Sequence, residues 1–323
     1  MTAADHVPGH GDRAPILVTG LNRSGTTWVG RTLARARDVG LIYEPFNPGH
    51  RRGILRAPTP HWFTYVEDDA PSDLAADLRR TLAFRYSYAA ELRRLRSARD
   101  AGRMARDATV FATHRLRRDR PLVKDPIAVL AAPWLAREFG MQVVVMVRHP
   151  AAYASSLRRL RWTHDFSHFL DQPGLVDALV PELRADLEEF ARRPPDVVDQ
   201  AALLWNVIYT VVDRYRAEHP DWLFLRHEDL SADPGRGFRL MFARLGLTYS
   251  PGVARFVAET TSASNPAEAG EGVVHALRRD SAASVWTWHD RLTTDEIARV
   301  RARTGRTAAA FYADADWSVP TTA

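Results

Sequence analysis

A glycine-bearing segment near the start of the chain has the residue types that bind an anion. It runs from Gly20 to Thr27 with the sequence GLNRSGTT, after a short apolar run and before a helical pattern. This is the phosphate-loop frame with threonine in place of the usual lysine, and its backbone N–H groups converge on an anion at the positive end of the next helix. We expect the hydroxyls of Ser24, Thr26 and Thr27 to add donors. Arg23 would supply the positive charge that the lysine supplies in other phosphate loops.

A second pair of anion-binding side chains follows the most apolar run of the chain, MQVVVMV. Arg148 comes directly after this run, and Ser156 lies eight residues later, two turns into a helical pattern. A guanidinium and a hydroxyl placed in this way can both face one phosphate. A nucleotide triphosphatase needs the loop lysine and an acidic residue near this strand to hold Mg²⁺. Because a cation stands there instead, we expect a phosphate site without a metal, which counts against kinases and ATPases.

Two further segments offer groups for acid–base work. Glu44, in LIYEPFNP, follows a second short apolar run, and a strand there would deliver it to the same edge of a sheet as the loop. Lys124, in PLVKDP, is the only lysine among 44 basic residues. An ammonium is a compact donor that can follow a moving charge, whereas the fork of arginine is fixed and planar. Competing candidates for a general base are His114, His164, His168 and Asp125, although Asp125 is more suited to orienting Lys124 or capping the following helix.

Short apolar runs alternate with helical patterns along the chain. We expect strands at residues 15–19 and in LIYEP, PLVKDP, MQVVVMV and DWLFLRHEDL, and one helical stretch over residues 72–106. Trp28, Val29 and Leu33 recur at helical spacing after the loop. Such alternation predicts an α/β fold in which helices cover both faces of a parallel sheet in a single domain. This domain would span residues 15–317, between a disordered leader (1–14) and a tail (318–323), with excursions at 46–115 and 160–195 on the ligand-binding edge.

The composition excludes several classes of protein. Hydrophobic residues make up 46% and charged residues 26% of the 323 residues, which is typical of a globular protein. The absence of cysteine excludes disulfides, thiolate metal sites and cysteine nucleophiles. No run reaches the about 18 apolar residues of a membrane span, and the first residues lack a signal-peptide core, so we expect a cytoplasmic protein. The net charge of +5 is mild, and a solvated arginine-rich surface explains it better than a nucleic-acid groove.

These segments resemble a known family. TGLNRSGTTWVGRTLA resembles the 5′-phosphosulfate loop of sulfotransferases that use 3′-phosphoadenosine 5′-phosphosulfate (PAPS), and VVVMVRHPAAYASSL resembles their 3′-phosphate strand and helix. LFLRHEDLSADPGRGFRLMFARLGL resembles the RYEDL…P…FLGL segment, and VHALRRDS resembles the C-terminal region. The resemblance extends from Pro15 to Trp317 and points to a bacterial branch related to carbohydrate and tyrosyl-protein sulfotransferases. Two positions depart from the pattern: Arg23 replaces a common lysine, and His149 replaces the more usual aspartate.

The resemblance implies a role for each matching residue. The 5′-phosphosulfate would contact Arg23, Ser24, Gly25, Thr26 and Thr27. The 3′-phosphate would contact Arg148 and Ser156, with Arg278 or Arg279 closing over it. Glu44 would be the general base, Lys124 and Arg23 would stabilise the transferred group, and Trp205 would pack either near the adenine or in the core.

The expected activity is therefore metal-free, in-line transfer of a sulfuryl group from PAPS to a hydroxyl or amine, with adenosine 3′,5′-bisphosphate (PAP) as product. The acceptor stays open among carbohydrate, lipid, peptide and small-molecule hydroxyls. Two alternatives are a phosphotransferase related to P-loop kinases and a non-enzymatic protein that binds anions or nucleic acid. No feature of the sequence indicates the oligomeric state.

Overall fold

A computed structural model describes residues 13–67, 72–268 and 277–318. The predicted leader and tail lie almost wholly outside these described residues. The strands are β1 (Ile16–Gly20), β2 (Val39–Tyr43), β3 (Arg120–Lys124), β4 (Gln142–Val147) and β5 (Leu223–Arg226). Short 3₁₀ helices cover Pro126–Ala131, Pro181–Leu183 and Asp314–Trp317.

The described residues also form sixteen α-helices. The first nine are α1 (Thr26–Leu33), α2 (Ser72–Leu82), α3 (Tyr88–Leu92), α4 (Ala98–Arg117), α5 (Ala132–Phe139), α6 (Pro150–Leu160), α7 (Ser167–Leu170), α8 (Pro173–Leu179) and α9 (Arg184–Arg192). The others are α10 (Val197–Glu218), α11 (His227–Ala232), α12 (Pro234–Arg244), α13 (Pro251–Thr261), α14 (Ser281–Ser284), α15 (Trp288–Arg291) and α16 (Thr294–Ala308).

The five strands form one parallel sheet in the order β2-β3-β1-β4-β5. Ile16 at the start of β1 lies opposite Leu122 of β3 on one side and Gln142 of β4 on the other. Every residue of β1 is buried, as is usual for a strand that is covered on both faces. The predicted α/β class is thus confirmed. The carboxyl ends of β1, β2, β3 and β4 all meet at one edge of the sheet.

Alternate residues of the central strands pack against different helices. Leu17, Val143 and Val145 belong to a core that contains α6, α10 and α16. Val18 and Met146 point to the other face, where α1, α12 and α13 supply the opposing side chains. The two-residue period of a strand therefore places helices on both faces, as the sequence predicts.

The region that joins β2 to β3 differs from its prediction. The single helical stretch expected over residues 72–106 is three helices, α2, α3 and α4, and α4 continues to Arg117. The Ser97 hydroxyl begins α4 by accepting a hydrogen bond from the N–H of Asp100. Helix α4 then leads directly into the amino end of β3, so its last turn lies at the edge of the sheet opposite the carboxyl ends. Within the described ranges, no helix is long and apolar enough to cross a membrane.

Candidate active site

A cavity of about 670 Å³ opens at the carboxyl edge of the sheet. The loops that follow β1, β2, β3 and β4 all contribute to its walls. Residues 62–63 and 161–168, which belong to the two predicted excursions, complete it. Of the residues that the sequence singles out, the cavity brings together Arg23, Gly25, Thr26, Thr27, Glu44, Lys124, Arg148 and Arg279.

The loop after β1 has a backbone conformation that depends on its glycines. Gly20 has a φ of +138°, and an added Cβ would lie 2.3 Å from the carbonyl oxygen of Met146. Gly25 has a φ of +98°, and a Cβ there would lie 2.7 Å from Nδ1 of His227. Helix α1 begins at Thr26, so its first N–H groups have no partner within the helix. These donors and the helix dipole favour an anion at this end of the cavity.

Ser24 has a different role from the one that the sequence predicts. Its side chain is fully buried, and its hydroxyl donates to the carbonyl of Leu21 at 2.6 Å. Its N–H also donates to that carbonyl, at 3.1 Å. Ser24 therefore closes the turn of the loop, whereas Thr26 and Thr27 are the hydroxyl residues of the loop that line the cavity.

A cluster of arginines lies beside the loop. The Nε of Arg23 donates to the Ser156 hydroxyl at 3.1 Å, and Nη1 of Arg148 donates to the carbonyl of Arg23 at 2.6 Å. Burial, together with the positive charges of Arg148 and Arg279, lowers the pKa of Arg23 to about 10. Burial and the charges of Arg148 and Arg159 lower the pKa of Arg279 to about 10 as well. This mutual repulsion of cations makes the end of the cavity favourable for a multiply charged anion.

Trp205 and Arg278, two of the predicted ligand-binding residues, lie away from the cavity. Trp205 is fully buried and donates its indole N–H to the carbonyl of Arg148 at 2.8 Å. It lies behind the cavity wall and supports Arg148, so the predicted contact with adenine does not fit its position. Arg278 is exposed and does not line the cavity, whereas Arg279 does. Val274–Ala276 of the VHALRRDS segment lie outside the described residues.

Glu44 and Lys124 are joined by an ion pair at the carboxyl ends of β2 and β3. The strand register sets this contact, because Tyr43 pairs with Lys124 and the N–H of Glu44 donates to the Lys124 carbonyl at 2.9 Å. Lys124 is only 2% exposed, and its Nζ lies 4.4 Å from the centre of the Tyr43 ring. Its stem passes over Gly30 of α1, where a Cβ would lie 2.7 Å from Cγ of Lys124.

Glu44 has a strained backbone and a fixed side chain. Its φ of +47° lies in the left-handed region that residues other than glycine rarely adopt, and such strain is concentrated at functional sites. Its Oε1 contacts Lys124, and its Oε2 accepts a hydrogen bond from Asn47 Nδ2 at 3.3 Å. The carboxylate therefore enters the cavity in one defined orientation.

The competing acidic candidate, Asp125, has a structural role. It is fully buried, and its carboxylate accepts hydrogen bonds from the N–H groups of Ile127 and Phe46. Burial raises its pKa to about 7. The expected cap is confirmed, since Asp125 begins the 3₁₀ helix that follows β3.

The histidine candidates divide between two places. His114 lies in the last turn of α4, and its Nδ1 is 2.7 Å from the Asp119 carboxylate at the amino edge of the sheet, so it is remote from the cavity. His164 and His168 line the cavity beside Trp62 and Trp162. Burial lowers the pKa of His164 to about 3, which keeps its ring neutral at physiological pH.

Trp28 and His227 line the cavity beside the loop, and neither was predicted as a site residue. Their rings are perpendicular, with centres 5.9 Å apart. The indole N–H of Trp28 and the Nδ1 of His227 are buried and have no hydrogen-bond partner among the described residues. Buried polar atoms of this kind are rare, and a ligand with hydrogen-bonding edges would satisfy them. The sequence does carry a signal, since Trp28 directly follows the loop threonines.

Across the described ranges, no three His, Cys, Asp or Glu side chains are grouped as a metal site would require.

One comparison with known proteins identifies the family of this chain. The model of the family described as "Sulfotransferase family" matches residues 15–251. No curated protein sequence matches the chain significantly.

Three solved structures are similar to this chain at low identity. The first is the sulfotransferase domain from the curacin biosynthetic pathway, with 13% identity, a TM-score of 0.48 and coverage of 94% of this chain and 98% of that one. The sulfotransferase domain of the olefin synthase from Synechococcus PCC 7002 has 16% identity, a TM-score of 0.44 and coverage of 96% and 98%. Mouse sulfotransferase SULT7A1, complexed with PAP, has 14% identity, a TM-score of 0.41 and coverage of 95% and 88%.

Proposed function

Since the chain belongs to the sulfotransferase family, whose model matches well over half of it, we propose that it transfers a sulfuryl group from PAPS to a hydroxyl or amine acceptor and releases PAP. PAPS carries two separate anionic groups, the 5′-phosphosulfate and the 3′-phosphate. The protein would therefore need two anion sites at a fixed distance from each other and a base between them and the acceptor.

The observation that carries this proposal is the pair of anion-binding elements that share Arg23. The loop after β1 and the helix after β4 are joined by the bond from Arg23 to Ser156 and by the bond from Arg148 to the Arg23 carbonyl. We assign Gly25, Thr26, Thr27 and Arg23 to the 5′-phosphosulfate. The 3′-phosphate would be held by Arg148, Ser156 and Arg279. The nucleobase would lie against Trp28 and His227, which line this part of the cavity.

Glu44 and Lys124 are suited to the transfer step itself. Glu44 would accept the proton of the acceptor hydroxyl while the acceptor oxygen forms its bond to sulfur and the bond from sulfur to the 5′-phosphate oxygen breaks. Lys124 and Arg23 would stabilise the negative charge that develops on the departing phosphate oxygen. The ion pair with Lys124 holds the carboxylate in place before the acceptor arrives.

The acceptor end of the cavity favours a flat, ring-containing hydroxyl compound. Trp62, Phe63 and Trp162 line it, and neutral His164 packs against Phe63 with ring centres 5.9 Å apart. The nearby amide of Asn47 is already used, since its Nδ2 donates to Glu44 and its Oδ1 accepts from the N–H of Gly49. These aromatic walls suit a ring, and Thr163, Asp165 and His168, which also line the cavity, could contact its polar substituents.

Ligand-dependent melting separates this proposal from its rivals. PAP without Mg²⁺ should stabilise the protein, by about 2.7 kcal/mol when its concentration is a hundred times its Kd. ATP with Mg²⁺ should have little effect. Stabilisation by ATP with Mg²⁺ alone would instead favour a phosphotransferase. A panel of phenols, sugars, peptides and aliphatic alcohols with labelled PAPS then identifies the acceptor class.

The 3′-phosphate assignment has its own test. Arg148→Ala should weaken PAP binding by about two orders of magnitude, because a buried charge-assisted contact to a phosphate is lost. The matched control is Arg278→Ala, because Arg278 is exposed and does not line the cavity. An unchanged affinity of the Arg148 variant would remove this residue from the phosphate site.

A further inference from the structure

One surface segment carries the whole net charge of the protein. Residues 85–119 contain ten arginines and four acidic residues, a net charge of +6, while the complete chain has +5. The remainder of the chain is therefore close to neutral. Residues 85–119, which contain α3, α4, the turn between them and the residues that flank them, are called the basic surface.

The four acidic residues of the basic surface all take part in ion pairs, Asp100 with Arg103 of the same helix. Glu91 and Asp107 both pair with Arg51, and Glu91 also accepts from the N–H of Gly53. Asp119 pairs with His114. The ten arginines are all exposed. Seven of them have no acidic partner among the described residues: Arg85, Arg93, Arg94, Arg96, Arg99, Arg115 and Arg118.

Helix α4 arranges part of this charge in a stripe. The stripe consists of residues that recur at intervals of four and three, Arg99, Arg103, Arg106, Val110, Thr113 and Arg117. This spacing places them on one face, away from the buried Ala108 and Phe111. The stripe is about 27 Å long, given the helical rise per residue. The ion pairs of Arg51 hold α3 and α4 against the segment that follows Glu44, so the surface has a fixed shape.

Exposed apolar side chains lie in the same segment. Seven large hydrophobic side chains are exposed among the described residues. Four of them lie in the basic surface: Tyr88, Leu92, Val110 and Leu116. Leu116 is 85% exposed, more than any other of the seven. Two of the remaining three, Trp62 and Trp162, line the cavity. The basic surface thus combines unneutralised cations with uncovered aliphatic groups.

We propose that the basic surface binds the protein peripherally to an anionic lipid bilayer. Arginines attract anionic headgroups, and aliphatic side chains gain free energy at the boundary between headgroups and acyl chains. Nucleic acid suits the surface less, because aliphatic groups gain nothing from a phosphate backbone and Tyr88 is its one exposed aromatic residue. An acidic protein suits it less, because no residue of the basic surface lines any of the three cavities found at residues 22–284, 182–307 and 147–311. A bilayer needs no complementary groove.

Vesicle co-sedimentation tests this proposal. The full-length protein is mixed with vesicles of phosphatidylcholine alone or with about 30 mol% phosphatidylserine, at about 0.1 M salt. We expect sedimentation with the anionic vesicles only. The variant Arg99→Gln/Arg103→Gln/Arg106→Gln should partition at least about tenfold more weakly. The matched control is Arg236→Gln/Arg239→Gln/Arg244→Gln, which removes three exposed arginines from α12.

Several results would overturn the proposal. One is a failure of the unaltered protein to sediment with anionic vesicles, and another is an equal loss of sedimentation in both triple variants. Unchanged sedimentation of the α4 variant would also contradict the proposal. Binding of a DNA duplex or an RNA strand through the α4 stripe without binding of vesicles would assign the surface to nucleic acid instead. Val110→Ser/Leu116→Ser tests the apolar part at constant charge and should also reduce sedimentation. PAP-induced melting shifts, which the proposal leaves unchanged, verify that each variant is folded.

Discussion

The side chain of Arg23 donates a hydrogen bond to the hydroxyl of Ser156, a residue 133 positions further along the chain. The bond links the loop after β1 to the second turn of α6. The two elements that we propose to bind phosphate are therefore held together before any ligand arrives. Binding of PAPS would then require little reorganisation, which is a condition for tight binding and fast transfer.

Ser156→Ala should weaken PAP binding by about tenfold, since a net hydrogen bond to a charged group is worth about 1.5 kcal/mol or more. The expected loss has two origins: the direct contact of the hydroxyl with the phosphate and the orientation of Arg23. Calorimetric titration with PAP measures it. The neighbouring Ser155→Ala is the matched control, because its buried hydroxyl has no hydrogen-bond partner among the described residues. Equal affinities of the two variants would contradict the role of Ser156.

Glu44→Gln should lower turnover by about two to four orders of magnitude, which is the usual contribution of a general base. The glutamine keeps the shape and can still accept a hydrogen bond from Lys124, so PAP binding should change little. Single-turnover assays with labelled PAPS measure the rate, and PAP-induced melting measures the binding.

Three further variants distinguish Glu44 from other cavity groups. Asp165→Asn removes a second carboxylate that lines the cavity and should retain most of the activity. His164→Asn and His168→Asn remove the histidines that reach the cavity. If turnover becomes independent of pH in one of these variants while Glu44→Gln stays active, the general base is not Glu44.

Lys124→Arg should lose about a hundredfold in turnover although the charge is kept. The buried space around Lys124 is closed by Gly30 and the Tyr43 ring, so a planar guanidinium would be displaced by about an ångström, and a displacement of that size is enough to cost such a factor. Steady-state kinetics check this expectation. Full activity of the variant would mean that any cation serves at this position.

Gly30→Ala tests the position of Lys124 without changing any ionisable group. The new Cβ would lie 2.7 Å from Cγ of Lys124, so the lysine must move. We expect turnover to fall about tenfold or more while PAP affinity is nearly unchanged. Gly305→Ala on α16 is the control, because nothing lies within 4 Å of its added Cβ. Unaltered kinetics in Gly30→Ala would show that the exact place of Lys124 is unimportant.

His149 should make stability depend on pH below 6.5. Its ring stacks on Trp288 with centres 5.0 Å apart, and burial lowers its pKa from 6.5 to about 3. Between these values the unfolded chain binds a proton that the folded chain does not, so the free energy of unfolding falls as the pH falls. The loss is about 2 kcal/mol at pH 5.

Urea unfolding at pH 7.5 and pH 5 measures this loss in the free energy of unfolding. His149→Phe keeps a stacked ring and removes the titration, so its stability should fall less between the two pH values, by about 2 kcal/mol. An identical fall in both proteins would exclude His149 as the source. The same contact explains why histidine is tolerated where aspartate is usual, since aspartate would cap α6 but could not stack on Trp288.

Most of the sheet could be predicted because its strands are short, continuous apolar runs. Val143 to Val147 form a short, valine-rich run, and its length and β-branched side chains favour a buried strand over a buried helix. The breaks between α2, α3 and α4 could not be predicted, because they depend on tertiary contacts. The pair of Arg51 and Glu91, for example, joins positions 40 residues apart. Spacing along the chain contains no trace of such a contact.

The site was predictable where a residue ends a strand or directly follows one. Glu44, Lys124 and Arg148 all lie at the carboxyl edge because strand direction alone places them there. The environment of Trp205 could not be predicted, because helical periodicity does not show whether a buried helix face meets the cavity or the core. His227 was missed for a related reason: it reaches the cavity only because β5 ends beside Gly25.

The burial of Lys124 also gives the chain a single, hidden target for a lysine-directed endoprotease. With one lysine in 323 residues, such an enzyme can cut only the bond between Lys124 and Asp125. That bond lies at the end of a strand with neighbours on both sides, and both of its side chains are buried. Cleavage therefore requires the sheet to open. The appearance of two fragments, residues 1–124 and 125–323, would record unfolding events without any dye or label.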